Sequence, residues 1–318
     1  MEETEGKEQS ANGPVDANDA PAIGPSSDNL VTTTSRPQTG GGTCLTCGGA
    51  VESNPDGGEM ATHSYVYALG RVEPRFPRLA VEKEFAQATG RAETTAGLTD
   101  PAAFYAVLSR PQNRYLVRQL CWVLTIEGME TYILQPHDPA DFNLMVEAIG
   151  PTQTPREDFD TVIGVRGPIA PPELCNGLMV PLVVFDQVYS FTRRDLIASI
   201  PRDNIPEEEF SAAAGNLFDR ITQMADNAGA TDEHRALNYL AVRYPRIYTL
   251  AVERHRENDS LTAIEVRPSR LTGVRKIVDV VFSYTHRQTD VTEKYFVRVD
   301  VTEEFPFLVT KLSPYYDR

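Results

Sequence analysis

The clearest chemical spacing in this chain is Cys44-Leu45-Thr46-Cys47-Gly48-Gly49. Two thiolates two residues apart can reach one tetrahedral Zn²⁺, and the glycines that follow permit the tight knuckle such a site needs. A closed structural site takes two further ligands. Cys121 and Cys175 are the remaining cysteines of four, so one chain can build an all-thiolate zinc site only from Cys44, Cys47, Cys175 and Cys121. Cys175 lies in the irregular stretch Pro171-Pro172-Glu173-Leu174-Cys175-Asn176-Gly177, where a loop can turn a thiol toward a metal. Cys121 lies in an apolar run, where Cys also serves as a small hydrophobe. Alternatively, two chains could each donate Cys44 and Cys47 to one ion and clasp a homodimer. A thioredoxin-like redox use of the motif would need a strand before it and a helix after it, and neither is indicated.

The other reactive types are less organised. His63, His137, His234, His255 and His286 fall in no zincin-type helix motif. No Gly-x-Ser-x-Gly elbow, P-loop or dinucleotide fingerprint occurs. Gly164-Val165-Arg166-Gly167 reads as a strand end, and Glu303-Glu304 reads as a solvated turn. Two polar clusters could line a peptide-binding surface. In the first, Arg71, Glu73, Arg75 and Arg78 alternate with Pro74, Phe76 and Pro77. In the second, Asp226, Asn227, Thr231, Asp232, Glu233, His234 and Arg235 crowd a helix–loop–helix junction. Caps and surface ion pairs draw on the same residue types.

The elements that position these residues follow from periodicity. Residues 64–72 alternate and carry aromatic and β-branched side chains, as a strand does. Leu79, Val81, Phe85 and Ala88 recur at helical spacing after Pro77, with Gly90 as a stop. Asp100-Pro101 opens a second helix that runs through Ser109. Residues 121–135 form a hairpin about Glu127-Gly128, with Trp122 in the core. A short amphipathic helix follows Asp138-Pro139. Strands are expected at 161–169 and 178–191, the second with an apolar first half suited to burial on both faces and with Pro181 marking an edge or bulge. After Pro206 comes the longest helix, with Phe210, Ala213, Ala214, Leu217, Ile221 and Met224 as its stripe and Gly229 as its end. Thr231-Asp232-Glu233 opens another. Residues 277–284 and 294–301 make a hairpin about Gln288-Thr289-Asp290, and 305–312 adds a strand. Helices mixed with antiparallel β-hairpins indicate an α+β fold.

Residues 1–60 have a different character. They are rich in Gly, Pro, Ser, Thr, Asn and acids, and such a segment cannot bury enough apolar surface to offset the entropy of ordering. The expected organisation is therefore a disordered acidic leader with the Cys-x-x-Cys knuckle at 1–60 and one domain at 61–318. Of the 318 residues 41% are hydrophobic and 24% charged, the net charge is -15 and the pI is about 4.8. This charge disfavours nucleic acid and anionic membranes as partners. No run is long enough to span a bilayer, and the acidic Met1-Glu2-Glu3 start is unlike a secretory signal, which leaves the cytoplasm as the expected compartment.

Four strings carry a resemblance. YVYALGRVEPRFPRLAVEKEFAQATGR (65–91), NRYLVRQLCWVLTIEGMETYILQPHDPADFNLMVEAI (113–149), VIGVRGPIAPPELCNGLMVPLVVFDQVYSF (162–191) and DRITQMADNAGATDEHRALNYLAVRYPRIY (219–248) resemble the C-terminal domain family of PatG, the cyanobactin maturation protease, which also ends PatA. The resemblance spans roughly 60–318. It implies a place in the biosynthesis of ribosomally made, post-translationally modified peptides. It carries over no catalytic residue, because cleavage and macrocyclisation belong to a separate subtilisin-like domain. The expected role is a non-catalytic accessory or scaffold module that binds a precursor peptide or a maturation enzyme. The alternative is a peptide-modifying enzyme that uses the acid, histidine and arginine cluster at 226–235.

Overall fold

The computed structural model describes residues 64–90, 101–150, 158–202, 205–271 and 273–316, all within the unit Gly58–Arg318. The expected leader and the Cys44/Cys47 knuckle lie outside the described residues.

A closed five-stranded barrel forms the first layer. Its strands are β1 (Ser64–Arg75), β2 (Cys121–Ile126), β3 (Met129–Pro136), β4 (Asp158–Ile169) and β5 (Pro181–Thr192), in the order β1-β2-β3-β5-β4. The first half of β1 pairs antiparallel with β4, from Ser64↔Arg166 to Gly70↔Asp160, and its second half turns to β2, from Arg71↔Thr125 to Arg75↔Cys121. β3 and β5 are parallel. This is the connectivity of an OB-type Greek-key barrel. Closure is possible because β4 carries Gly164 at a register shift, where any Cβ would collide with the Val184 backbone.

Alternation along each strand fills the interior. Val66, Ala68, Val72, Trp122, Leu124, Leu134, Val162, Val183 and Phe185 share one core. Trp122 is buried as expected and donates its indole N–H to the Val117 carbonyl at 2.9 Å, so its polar handle is satisfied. Helices α1 (Leu79–Ala88), α2 (Pro101–Leu108) and α3 (Arg114–Gln119) lie between β1 and β2, and α4 (Phe142–Ala148) between β3 and β4. Their apolar residues Val81, Phe85, Phe104, Leu116 and Met145 pack into the same core. The β2–β3 turn has Glu127 at φ 50° and Gly128 at φ 78°, the twin positive φ values of a two-residue hairpin.

The second layer is a helical group backed by a sheet. It comprises α5 (Arg193–Ala198), α6 (Glu207–Thr222), α7 (Asp232–Arg243) and α8 (Arg246–Arg256), then β6 (Asp259–Pro268), β7 (Ile277–His286), β8 (Thr292–Asp300) and β9 (Phe307–Tyr315). The four strands form an antiparallel sheet in sequence order. Phe210, Leu217, Phe218 and Ile221 of α6 and Leu237 and Leu240 of α7 meet Val278, Val280 and Phe282 of β7 in one core. The α+β class is as the sequence indicates.

Three expectations are corrected. Helix α6 ends at Thr222, not at Gly229, and residues 223–231 form a loop docked on the barrel. β5 is not buried on both faces: Val183 and Phe185 point into the barrel, while Leu182 faces outward and is covered only in part. The third concerns zinc. Cys121 and Cys175 are joined as a disulfide with a Cα–Cα distance of 5.6 Å, so neither offers a thiolate to a metal with Cys44 and Cys47. The bond staples the β4–β5 loop across the outer face of β2 and β3, over Val123 and Ile133. That outer strand face carries ligands in many OB barrels; here the chain's own loop seals it. Among the described residues no helix is long and apolar enough to cross a membrane, and no group of His, Cys, Asp and Glu could hold a metal ion.

Candidate binding site at the barrel–sheet junction

The polar cluster at 226–235 divides into inward and outward parts. Asn227 and Asn238 are buried and bonded to each other through their amides, and Asn238 also donates to the Tyr67 carbonyl of β1 at 2.8 Å. The Tyr67 N–H donates to the Gly229 carbonyl at 2.8 Å, and the Tyr132 hydroxyl to the Ala228 carbonyl at 2.9 Å. Gly229 sits at φ 69° with no room for a Cβ against Tyr67 and Ala68. The loop thus completes the edge that β1 leaves open where it crosses from β4 toward β2. Asp226 is exposed at a left-handed turn position, φ 59°.

Arg235 is also turned inward, with only 2% of its surface exposed. Its guanidinium donates to the carbonyls of Val301 at 2.7 Å, Glu303, and Glu304 at 3.2 Å, and lies 5.3 Å from the Tyr65 ring centre. Asp232 sits 3.6 Å from it and also faces Lys276. One buried arginine therefore fixes the whole β8–β9 turn from below. The turn is further held by the Asp300 carboxylate, which accepts from the N–H and hydroxyl of Thr302 and pairs with Arg275. Burial lowers the pKa of the His234 imidazole, and the His234 backbone N–H donates to the Thr231 hydroxyl that caps α7.

Arg71 and Arg75 belong elsewhere. Arg71 donates to the Asp158 carbonyl at 3.3 Å, and Arg75 pairs with Glu130. The structure does not gather the seven expected peptide-contacting residues into one surface. Asn227 and Arg235 are spent inside the fold, and as direct peptide contacts they are corrected for want of exposure.

What the structure does assemble escapes the sequence. His137 Nδ1 meets Asp186 Oδ1 at 2.6 Å, which raises the histidine's pKa. Asp186 lies against Glu304, whose carboxyl is pushed up to about 7 by burial and by the neighbouring carboxylate. Tyr65 donates to Glu303 at 3.4 Å. Next to these, Phe305 is 52% and Phe307 49% exposed on either side of the buried Pro306, with Arg275 stacked 5.2 Å from the Phe307 ring centre. These groups come from β1, β5, the segment after β3, the β6–β7 connection, the β8–β9 turn and the start of β9. No local spacing signals their union.

The model of the PatG C-terminal family matches residues 204–315. That span runs from α6 to β9, including Arg235 and the turn it holds. A solved structure, described as the PatG domain of unknown function, superimposes with a TM-score of 0.64 at 19% identity, over 80% of this chain and 99% of that one. The chain resembles the PatG C-terminal domain. It shares the fold of that PatG domain across barrel and sheet alike. No curated protein matches it.

Proposed function

We propose that the chain is a non-catalytic accessory module in the biosynthesis of ribosomally made, post-translationally modified, cyanobactin-like peptides. It docks a precursor peptide or a maturation enzyme on the ledge formed by Phe305, Phe307 and Arg275, with Glu303 and Asp186 beside it. The resemblance to the PatG domain supplies the biosynthetic setting. The observation that carries the docking role is the pair of half-exposed aromatics, Phe305 and Phe307, directly after a turn whose Val301, Glu303 and Glu304 carbonyls accept from a buried arginine. Recognition surfaces gain affinity when their anchors are ordered before binding. The acidic groups beside the aromatics favour a partner segment that pairs apolar with basic side chains. Isothermal titration of the chain with its precursor peptide and with each maturation enzyme tests this reading; no binding to any of them would reject it.

Zinc belongs to the same proposal in a narrower form. With Cys121 and Cys175 bonded to each other, four thiolates require two copies of Cys44 and Cys47, and so a homodimer clasp in the cytoplasm.

A further inference from the structure

The β4–β5 loop is fastened to the barrel wall at one covalent point. The strand ladder ends at Ile169↔Pro181, and the Ala170 N–H closes the base of the loop on the Val180 carbonyl at 2.9 Å. Among the described residues, the backbone hydrogen bonds of 171–179 stay inside the loop: Leu174 N–H to Pro171, Gly177 N–H to Pro172 and Leu178 N–H to Cys175. Within 171–179 only Cys175, bonded to Cys121, is buried, and Leu178 is covered in part.

The larger apolar groups of this segment are not what seats it. Ile169, Leu174 and Met179 are 62%, 37% and 61% exposed. The wall underneath is apolar, with Val123 and Ile133 buried and Leu182 beside them. A loop seated by the hydrophobic effect would turn its large side chains toward that wall. Here a covalent bond holds the loop against its conformational entropy. The bond is not needed for β4–β5 pairing, which the ladder already completes; what it secures is the loop.

We propose that the Cys121–Cys175 bond is a redox lock: a dithiol reductant releases the β4–β5 loop and uncovers the apolar wall of β2 and β3. A thiolate of the reductant attacks one sulfur and displaces the other as a thiolate. The second thiol of the reductant then resolves the mixed disulfide. Each released cysteine takes up a proton given up by the reductant, which leaves as its own disulfide. With both cysteines nearly covered, the attack waits on an outward excursion of the loop. In the cytoplasm proposed for this chain, disulfides are mostly transient or redox-sensing, which favours a lock over a permanent staple. Opening turns about Ala170 and Val180 and leaves the barrel ladder intact. The lock does not rest on the docking role.

Amide hydrogen exchange on the full chain, with and without dithiothreitol, reads the lock, and alkylation of Cys121 and Cys175 followed by peptide mapping reports the state of the bond. Reduction should lower protection across 171–179 at least about tenfold, while β1 and β4 amides stay unchanged. Binding of an apolar fluorescent dye should rise at the same time. Cys175→Ser without reductant should match the reduced wild type, and reoxidation of the wild type should restore protection. Any of four results would overturn the lock: alkylation of both cysteines before reduction, complete reduction with 171–179 still protected, a bond that yields only when the whole chain unfolds, or protection lost equally in β1 and β4.

Discussion

Asn227 and Asn238 form a reciprocal amide pair, each donating to the other's carbonyl oxygen at 2.8 and 3.1 Å, with no more than 7% of either residue exposed. The pair joins the α6–α7 loop to α7, and through Tyr67 to the barrel. Replacing Asn238 with Leu leaves the Asn227 Oδ1 and the Tyr67 carbonyl buried without the donor they share, while the Asn227 amide N–H keeps only the Ile221 carbonyl. Each orphaned group costs ~1–3 kcal/mol, so Asn238→Leu should lower the unfolding free energy by about 3 kcal/mol in urea titration. A change under ~0.5 kcal/mol would mean the pair is not the joint described.

Arg235 should tolerate no conservative exchange. Its planar fork spans three carbonyls, and a lysine ammonium cannot reproduce that geometry. Arg235→Lys should destabilise by about 2 kcal/mol or more and raise proteolytic cleavage within 301–306. Full stability in Arg235→Lys would reduce the residue to a surface charge.

Asp160 makes stability depend on pH. It is buried in the barrel, accepts from the Val72 N–H at 2.6 Å and from the Ser190 hydroxyl, and burial pushes its carboxyl up to about 7. A carboxyl that holds its proton more tightly when folded stabilises below its unfolded value of 3.8, and that stabilisation is lost as pH rises to about 7. Unfolding free energy should therefore fall by roughly 1.4 kcal/mol per pH unit in that window from this group alone. Asp160→Asn, though less stable at acidic pH, should show a shallower slope between pH 4 and 7. An unaltered slope would show that Asp160 is ionised in the fold.

The Cys121–Cys175 bond closes a span of 54 residues. In the chain-entropy treatment such a loop is worth up to about 4 kcal/mol. Cys121→Ser with Cys175→Ser should lower the melting temperature by several degrees. A wild type that melts at the same temperature with and without reductant would show that the staple is absent in solution.

Zinc content separates the two ways of completing the Cys44/Cys47 site. The homodimer clasp gives about one zinc per two chains by elemental analysis, lost together with the dimer in Cys44→Ser/Cys47→Ser. One zinc per monomer, or zinc unchanged in the double variant, would reject the clasp.

Much of the second layer was legible in the sequence because its cues are local. The stripe of α6, the Thr231 cap of α7 and the alternation of β7 and β8 each lie within one element. The hairpin at Glu127-Gly128 and the core role of Trp122 were legible for the same reason. The helix α8 and the strand β6 went unread, and the barrel could not be inferred. Its closure depends on β1 changing partners midway and on a parallel β3–β5 contact, both of which link distant segments. The site was less legible still. Arg235 was noticed for its charge, yet its role depends on carbonyls 66 or more residues away. Glu304 looked like half of a solvated turn, and only Asp186, from another strand, brings a second carboxyl against it. The disulfide likewise pairs a strand cysteine with a loop cysteine that spacing had offered to a metal.

The docking role is tested most directly by adding the precursor peptide to the full chain and to Phe305→Ala/Phe307→Ala, following both affinity and peptide mass. The chain should bind the peptide, or a maturation enzyme that carries it, saturably. The double variant should bind at least about tenfold more weakly while melting like the wild type, and the peptide mass should not change with the chain alone. A changed peptide mass would make the chain an enzyme, and binding unaffected by the loss of both aromatics would place recognition elsewhere than on the ledge.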